Sequence, residues 1–201
     1  MDNNQINKSY RLVYSLIWPL FNFLFPMKII GRENIPDGPC IICPNHYSWN
    51  DPIYIAFAFT KKNPLRAMAK IELINIPILG KILLKIGAIG VKRDGSDISA
   101  IKASLKTLKE NKLLIFPEGT RSNDEKTDSG KDGAIFLALK TKVPVVPVYL
   151  EQKKRLFRRT KVVIGESFLV ESQNKKATTE EMAQNTEKLM NKIYELKNKA
   201  I

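Results

Sequence analysis

Cys40-Ile41-Ile42-Cys43-Pro44-Asn45-His46-Tyr47-Ser48-Trp49-Asn50-Asp51-Pro52 passes from an apolar run, through a polar stretch, into the start of a second apolar run. A short apolar segment bounded by turn-forming residues reads as a buried strand. Ser48, Asn50 and Asp51 favour turns and helix caps, and Pro52 suits a first helical position. The stretch therefore reads as strand, turn, helix. It also holds His46, the single histidine of the chain. An imidazole titrates near neutrality, and a carboxylate can hold it in one tautomer and stabilise it when charged. In one continuous helix, residues five apart lie about 140° apart around the axis, so His46 and Asp51 meet only if the segment turns between them. Two readings stand here. Asp51 caps the helix Pro52–Phe59 beside an ordinary loop histidine, or the two side chains form an acid–base pair.

Outward from this stretch the pattern repeats. Met27–Gly31, Leu65–Ala69, Ala88–Lys92, Lys112–Phe116, Val143–Leu150 and Lys161–Gly165 read as further strands. Pro77–Ile86, Asp97–Asn111, Gly133–Lys142 and Thr178–Ala200 read as helices, with Ser96 or Asp97 as the cap of the second. Alternation of strands and helices predicts an α/β fold with a largely parallel sheet flanked by helices. Ligands in such sheets gather beyond the carboxyl ends of the strands. His46, Arg93 and Glu118 each follow a predicted strand, so they are expected to share one pocket. Arg93 and Arg121 suit a phosphate, which guanidinium binds bidentately, although either alone can serve a surface ion pair. Gly119 permits close approach of a ligand to the backbone, and Thr120 and Ser122 add hydroxyls. The polar stretch from 123 to 132 reads as a loop or lid.

Composition sets the bounds. The chain has 201 residues and an ordinary hydrophobic fraction of 44%. Its 33 basic and 20 acidic residues leave a charge of +13, which favours anionic partners: a membrane surface, phosphate-bearing ligands or nucleic acid. No nucleic-acid reading motif accompanies that charge, so nucleic acid is not expected as a partner. Cys40 and Cys43 are three apart in a predicted strand and should point to opposite faces. No second cysteine pair completes a metal site, and no metal or cofactor is expected. Two free thiols fit a reducing compartment.

Residues 1–27 stand apart as a docking motif from a domain spanning 28–201. From Tyr10 to Met27 the chain is apolar and aromatic but interrupted by Pro19 and Asn22. The uninterrupted runs are too short to span a bilayer, and no signal-peptide cleavage site follows. Two short helices broken at Pro19 are expected, lying in a membrane interface or packed on the domain's own core. Lys153, Lys154, Arg155, Arg158, Arg159 and Lys161 form a basic run suited to an anionic bilayer, to an acidic carrier protein or to coenzyme phosphates, or simply to solvent.

Four blocks of the chain resemble the glycerolipid acyltransferases, the lysophosphatidic acid acyltransferase family. Asn45-His46 with Asp51 matches the family's Asn-His-x4-Asp motif. Gly87 to Arg93 is similar to its second block, and Phe116-Pro117-Glu118-Gly119-Thr120-Arg121-Ser122 matches its third. Val143-Pro144-Val145-Val146-Pro147-Val148 is similar to its fourth. Gly90 departs from the bulky aromatic often found there. The resemblance implies acyl transfer from a thioester of acyl carrier protein or coenzyme A to the hydroxyl of 1-acylglycerol 3-phosphate, giving phosphatidic acid. It implies catalysis by His46 and Asp51, with Asn45, Arg93, Glu118, Gly119, Thr120, Arg121 and Lys131 around the substrate. Glu118 is expected on the glycerol or behind Arg121, and backbone N–H groups near Gly119 as an oxyanion site. The expected setting is peripheral, on the cytoplasmic face of the cell membrane. Another lysophospholipid acceptor, or a non-catalytic lipid-binding module on the same scaffold, are the rival readings.

Overall fold

The computed structural model describes residues 2–92, 97–121, 130–172, 174 and 177–200. Its strands are β1 (Met27–Ile30), β2 (Ile41–Pro44), β3 (Leu65–Lys70), β4 (Ile89–Val91), β5 (Lys112–Leu114), β6 (Val145–Leu150) and β7 (Thr160–Ile164). They form one sheet in the order β1-β7-β6-β2-β5-β3-β4. Each pairing is parallel except β6 with β7, which is antiparallel. The other neighbours in the β6-to-β4 stretch are separated by helices that carry the chain back across the sheet. β6 and β7 are joined by a short segment, and a short connection forces the chain to reverse.

The helices are α1 (Asn3–Leu24), α2 (Asp51–Phe59), the short α3 (Ile71–Ile74), α4 (Pro77–Lys85), α5 (Ile98–Thr107), α6 (Gly133–Thr141) and α7 (Thr179–Glu195). The helix expected to run to Ala200 tightens into a 3-10 turn over Leu196–Ala200. Thr178 starts α7 with a capping box, its hydroxyl accepting from the N–H of Glu181. Asp97 caps α5 by accepting from the N–H of Ala100, and its other oxygen accepts from the N–H of Lys92 at the end of β4.

β2 lies in mid-sheet and all four of its residues are buried. Its faces alternate with the two-residue period of a strand. Ile42 joins a core with Tyr10 and Tyr14 of α1 and Tyr54, Phe57 and Phe59 of α2. Ile41 and Cys43 join the opposite core, with Ile135 and Leu137 of α6 and Leu189, Met190 and Ile193 of α7. Cys40 and Cys43 are free, buried and on opposite faces. Burial pushes the Cys40 thiol up to about 11 and Cys43 further, so both are inert thiols at neutral pH.

The expected break at Pro19 does not occur. α1 runs through Pro19 as one helix. A proline inside a helix removes one hydrogen bond and costs about 3 kcal/mol. Aromatic packing on both sides of Pro19 offsets that cost. The rings of Trp18 and Phe21 lie 5.0 and 4.8 Å from that of Phe57, and Tyr14 meets Phe57 edge-on at 4.9 Å. One face of α1 is thus part of the core. The other leaves Leu12, Leu16, Leu20 and Phe23 more than 60% exposed.

Candidate active site

β6, β2 and β5 are adjacent and parallel, so their carboxyl ends open on one edge of the sheet. The segments leaving them carry Lys154, His46 and Glu118.

The chain turns sharply after His46. Asp51 N–H donates to the carbonyl of Ser48 at 3.1 Å, and α2 begins at Asp51. The Asp51 carboxylate points back over this turn. Its Oδ2 accepts from the N–H groups of Tyr47 and Ser48, each at 2.7 Å, and from His46 Nδ1 at 3.0 Å. Its Oδ1 lies 2.7 Å from the Ser48 hydroxyl and 2.8 Å from Lys154 Nζ. Asp51 therefore does not cap α2. Asn50 holds the cap position without a side-chain capping bond, and Pro52 needs no acceptor for a missing N–H.

The pairing settles the tautomer. An ionised carboxylate only accepts, so Nδ1 carries the hydrogen and Nε2 keeps its lone pair in the neutral ring. Burial alone would raise the Asp51 pKa. The hydrogen bonds from His46, Lys154 and Ser48, with the Lys154 charge, outweigh it and hold the carboxyl at about 2. The imidazole lies against the Phe116 ring, tilted by 30° with centroids 4.1 Å apart, and 13% of the His46 side chain stays accessible to a substrate.

Glu118 comes from the loop after β5. Its Oε1 accepts from the His46 backbone N–H at 3.1 Å and from the Tyr194 hydroxyl of α7 at 3.0 Å. Oε2 is buried with no hydrogen-bond partner. Burial pushes this carboxyl up, against the lowering effect of those two hydrogen bonds. The structure thus puts Glu118 on the backbone of His46, where the sequence suggested glycerol or Arg121.

Asn45 is fully buried and its amide is occupied on both sides. Nδ2 donates to the Leu150 carbonyl at 2.9 Å, and Oδ1 accepts from the Leu150 N–H at 2.7 Å. It clamps the end of β2 to the end of β6 rather than facing a substrate. Gly119 has φ +68°. Its N–H donates to the Phe116 carbonyl at 3.0 Å, so it closes a turn and is not free for an oxyanion. A Cβ at Gly119 would fall 2.8 Å from Lys131 Cδ, which places the exposed Lys131 side chain across this glycine. Thr120 and Arg121 are exposed just beyond. Arg93 and Ser122, with the stretch to residue 129, lie outside the described residues. β4, which precedes Arg93, stands three strands from β2, about 14 Å at ordinary strand spacing. The space an aromatic at Gly90 would take is filled by α3, since a Cβ there would lie 2.9 Å from Ile71 Cδ1 and 3.3 Å from Ile74 Cγ1. Among the described residues no cluster of His, Cys, Asp or Glu could hold a metal ion.

Sequence reasoning missed Lys154, Ser48, Phe116 and Tyr194 as parts of this site. The sequence sets Lys154 in a basic run suited to a bilayer, a carrier protein, coenzyme phosphates or solvent, yet only 6% of its side chain is exposed. Its one available signal was position: it follows a strand that neighbours β2 in the sheet. Tyr194 sends no such signal, because nothing local shows which residue of α7 will stand over the loop after β5.

Comparison with known proteins places the chain in a family. A family model described as Acyltransferase matches residues 26–151, more than half of the chain. A 1-acyl-sn-glycerol-3-phosphate acyltransferase of Bacillus subtilis is 33% identical over 180 residues, covering 86% of this chain and 89% of that protein. One of Streptococcus pneumoniae is 39% identical over 140 residues, covering 68% of this chain and 50% of that protein. The crystal structure of the 1-acyl-sn-glycerophosphate (LPA) acyltransferase PlsC of Thermotoga maritima superposes with a TM-score of 0.63 at 24% identity. It covers 96% of this chain and 79% of that one, and so shares the fold. On the family match and the Bacillus relative together, the chain belongs to the acyltransferase family.

Proposed function

We propose that this protein transfers a fatty acyl group from a thioester to the free hydroxyl of 1-acyl-sn-glycerol 3-phosphate, giving phosphatidic acid. The observation that carries this reading is the His46–Asp51 contact of 3.0 Å at the carboxyl end of β2. With Nδ1 engaged, Nε2 of His46 takes the proton from the acceptor hydroxyl as that oxygen attacks the thioester carbonyl. The carbon–sulfur bond breaks, the acyl–oxygen bond forms, and the thiolate leaving group receives the proton from the imidazolium. Asp51 holds the ring and faces the charge that develops on it. Arg93 and Arg121 are assigned the acceptor phosphate, which fixes the hydroxyl near the base. The donor is a thioester of acyl carrier protein or coenzyme A, and the charge of +13 suits either anion.

The relatives' names support the acceptor, and an assay with purified protein tests it. Lysophosphatidic acid, lysophosphatidylglycerol and lysophosphatidylcholine are each offered with both donors. Turnover should be fastest with lysophosphatidic acid, and His46→Ala should lower it about 10²–10⁴-fold with the fold intact. Near-wild-type turnover in that variant would overturn the mechanism.

The reaction is set at an anionic membrane surface, on its cytoplasmic face. Among the described residues no helix is long and apolar enough to cross a membrane. The outward row Leu12, Leu16, Leu20 and Phe23 of α1 continues onto Phe157, whose ring lies 5.6 Å from that of Phe23. Exposed Arg155, Arg158 and Arg159 flank Phe157 in sequence. An amphipathic surface of this kind lies in the interface, and each basic residue adds about 1 kcal/mol on anionic lipid. Pelleting with anionic vesicles at low salt, lost in Leu16→Glu/Leu20→Glu, is the expected result. Equal pelleting of that variant would remove α1 from the docking surface.

A further inference from the structure

Lys154 has no part in the scheme above, and its placement is unusual. Its neighbours Lys153 and Arg155 are exposed, whereas Lys154 turns inward. Nζ lies 2.8 Å from Asp51 Oδ1 and donates to Ser48 Oγ at 3.1 Å, with the rings of Tyr54 and Tyr47 at 5.7 and 5.9 Å. A desolvated ammonium is costly unless it is paired. Here its partner is the carboxylate on which His46 leans, taken at the opposite oxygen. We propose that Lys154 is a positioning residue that sets the basicity of His46, by fixing Asp51 and cancelling its charge. This rests on the acid–base reading of His46.

The physical argument is one of balance. A bare buried carboxylate 3.0 Å from the ring would favour the imidazolium before any substrate arrived. A base must begin neutral to take a proton. The Asp51–Lys154 pair carries no net charge, which removes that bias toward the imidazolium. When the proton arrives, the Asp51 oxygen is still in contact with Nδ1. The other titratable groups facing the pair are Tyr47 on the turn, Tyr54 on α2, and Glu118 from the loop after β5, with Tyr194 of α7 behind Glu118. Among the described residues, Lys154 is the cation in contact with Asp51.

His46 is the only histidine, so a titration of imidazole resonances by NMR, on protein without a histidine tag, reads that one group. Lys154→Met removes the charge, Lys154→Gln keeps an N–H donor, and Lys154→Arg keeps the charge. The midpoint should rise by about one pH unit in the Met and Gln variants and hold its wild-type value in Arg. The acid limb of kcat/KM should move with it, and the loss should fall on kcat rather than on the acceptor KM. An unmoved midpoint in folded Lys154→Gln overturns the proposal, whether activity is lost through packing or through acceptor KM. So does failure of both neutral variants to fold in thermal unfolding, which would make the ammonium a requirement of the fold. A shifted midpoint alongside a fully active His46→Ala protein would sink the acid–base reading and leave the electrostatic link standing.

Discussion

The loop after β2 and the loop after β5 each deliver a buried carboxylate to His46, and they treat it in opposite ways. Asp51 is ringed by donors on both oxygens, and its carboxyl is held at about 2. Glu118 has two donors on one oxygen and none on the other, and burial raises its pKa. Asp51 meets the ring nitrogen, whereas Glu118 meets the backbone N–H. The difference teaches a division of contacts: one carboxylate holds the imidazole ring and the other holds the backbone that carries it. Similar depth of burial does not mean similar chemistry, because the number of donors decides which side of the desolvation cost wins.

Four substitutions break or sharpen this contrast. Asp51→Asn carries the largest effect, a loss in turnover on the order of 10³–10⁴-fold, or about 4–5.5 kcal/mol. Steady-state kinetics on folded protein would show it, and a mild loss would put Asp51 on a level with Glu118. Next comes Asn45→Ala, which strips the clamp from Leu150 and leaves two buried backbone groups unpaired, at about 2–4 kcal/mol in urea unfolding. A neutral result would mean Asp51 and Glu118 hold the loop after β2 without the Leu150 clamp. Gly119→Ala forces a side chain into φ +68° and against Lys131, at about 1–2 kcal/mol in thermal unfolding.

Glu118→Gln is the smallest and differs in sign. The native state binds the Glu118 proton more tightly than the unfolded chain, so ionised Glu118 costs stability as pH climbs above the unfolded value of about 4.3. The Gln variant should match or exceed wild-type stability at pH 7, within about 1 kcal/mol, and the two should converge near pH 4. Asp51 runs the other way. Its contribution is present above its unfolded value of about 3.9 and is lost as pH falls toward about 2. Urea unfolding at several pH values separates the two slopes, and parallel slopes would erase the contrast.

Local pattern determined a good deal. Strands and helices alternate with their own periods, so the α/β class and the buried character of Ile41–Pro44 were legible. The two-residue period alone put Cys40 and Cys43 on opposite faces. Ser48, Asn50 and Asp51 announced a turn, and a turn is what brings His46 and Asp51 together. Tertiary structure decided the rest, because periodicity reports which face is apolar and not what will stand opposite it. Lys154 and Asp51, Asn45 and Leu150, Glu118 and Tyr194 are each separated by more than 70 positions in the chain. The order of strands in the sheet makes them neighbours, and a buried polar group takes whichever partner the fold sets beside it. α1 passed through Pro19 for the same reason: Phe57, far along the chain, supplied the packing that the local sequence lacked.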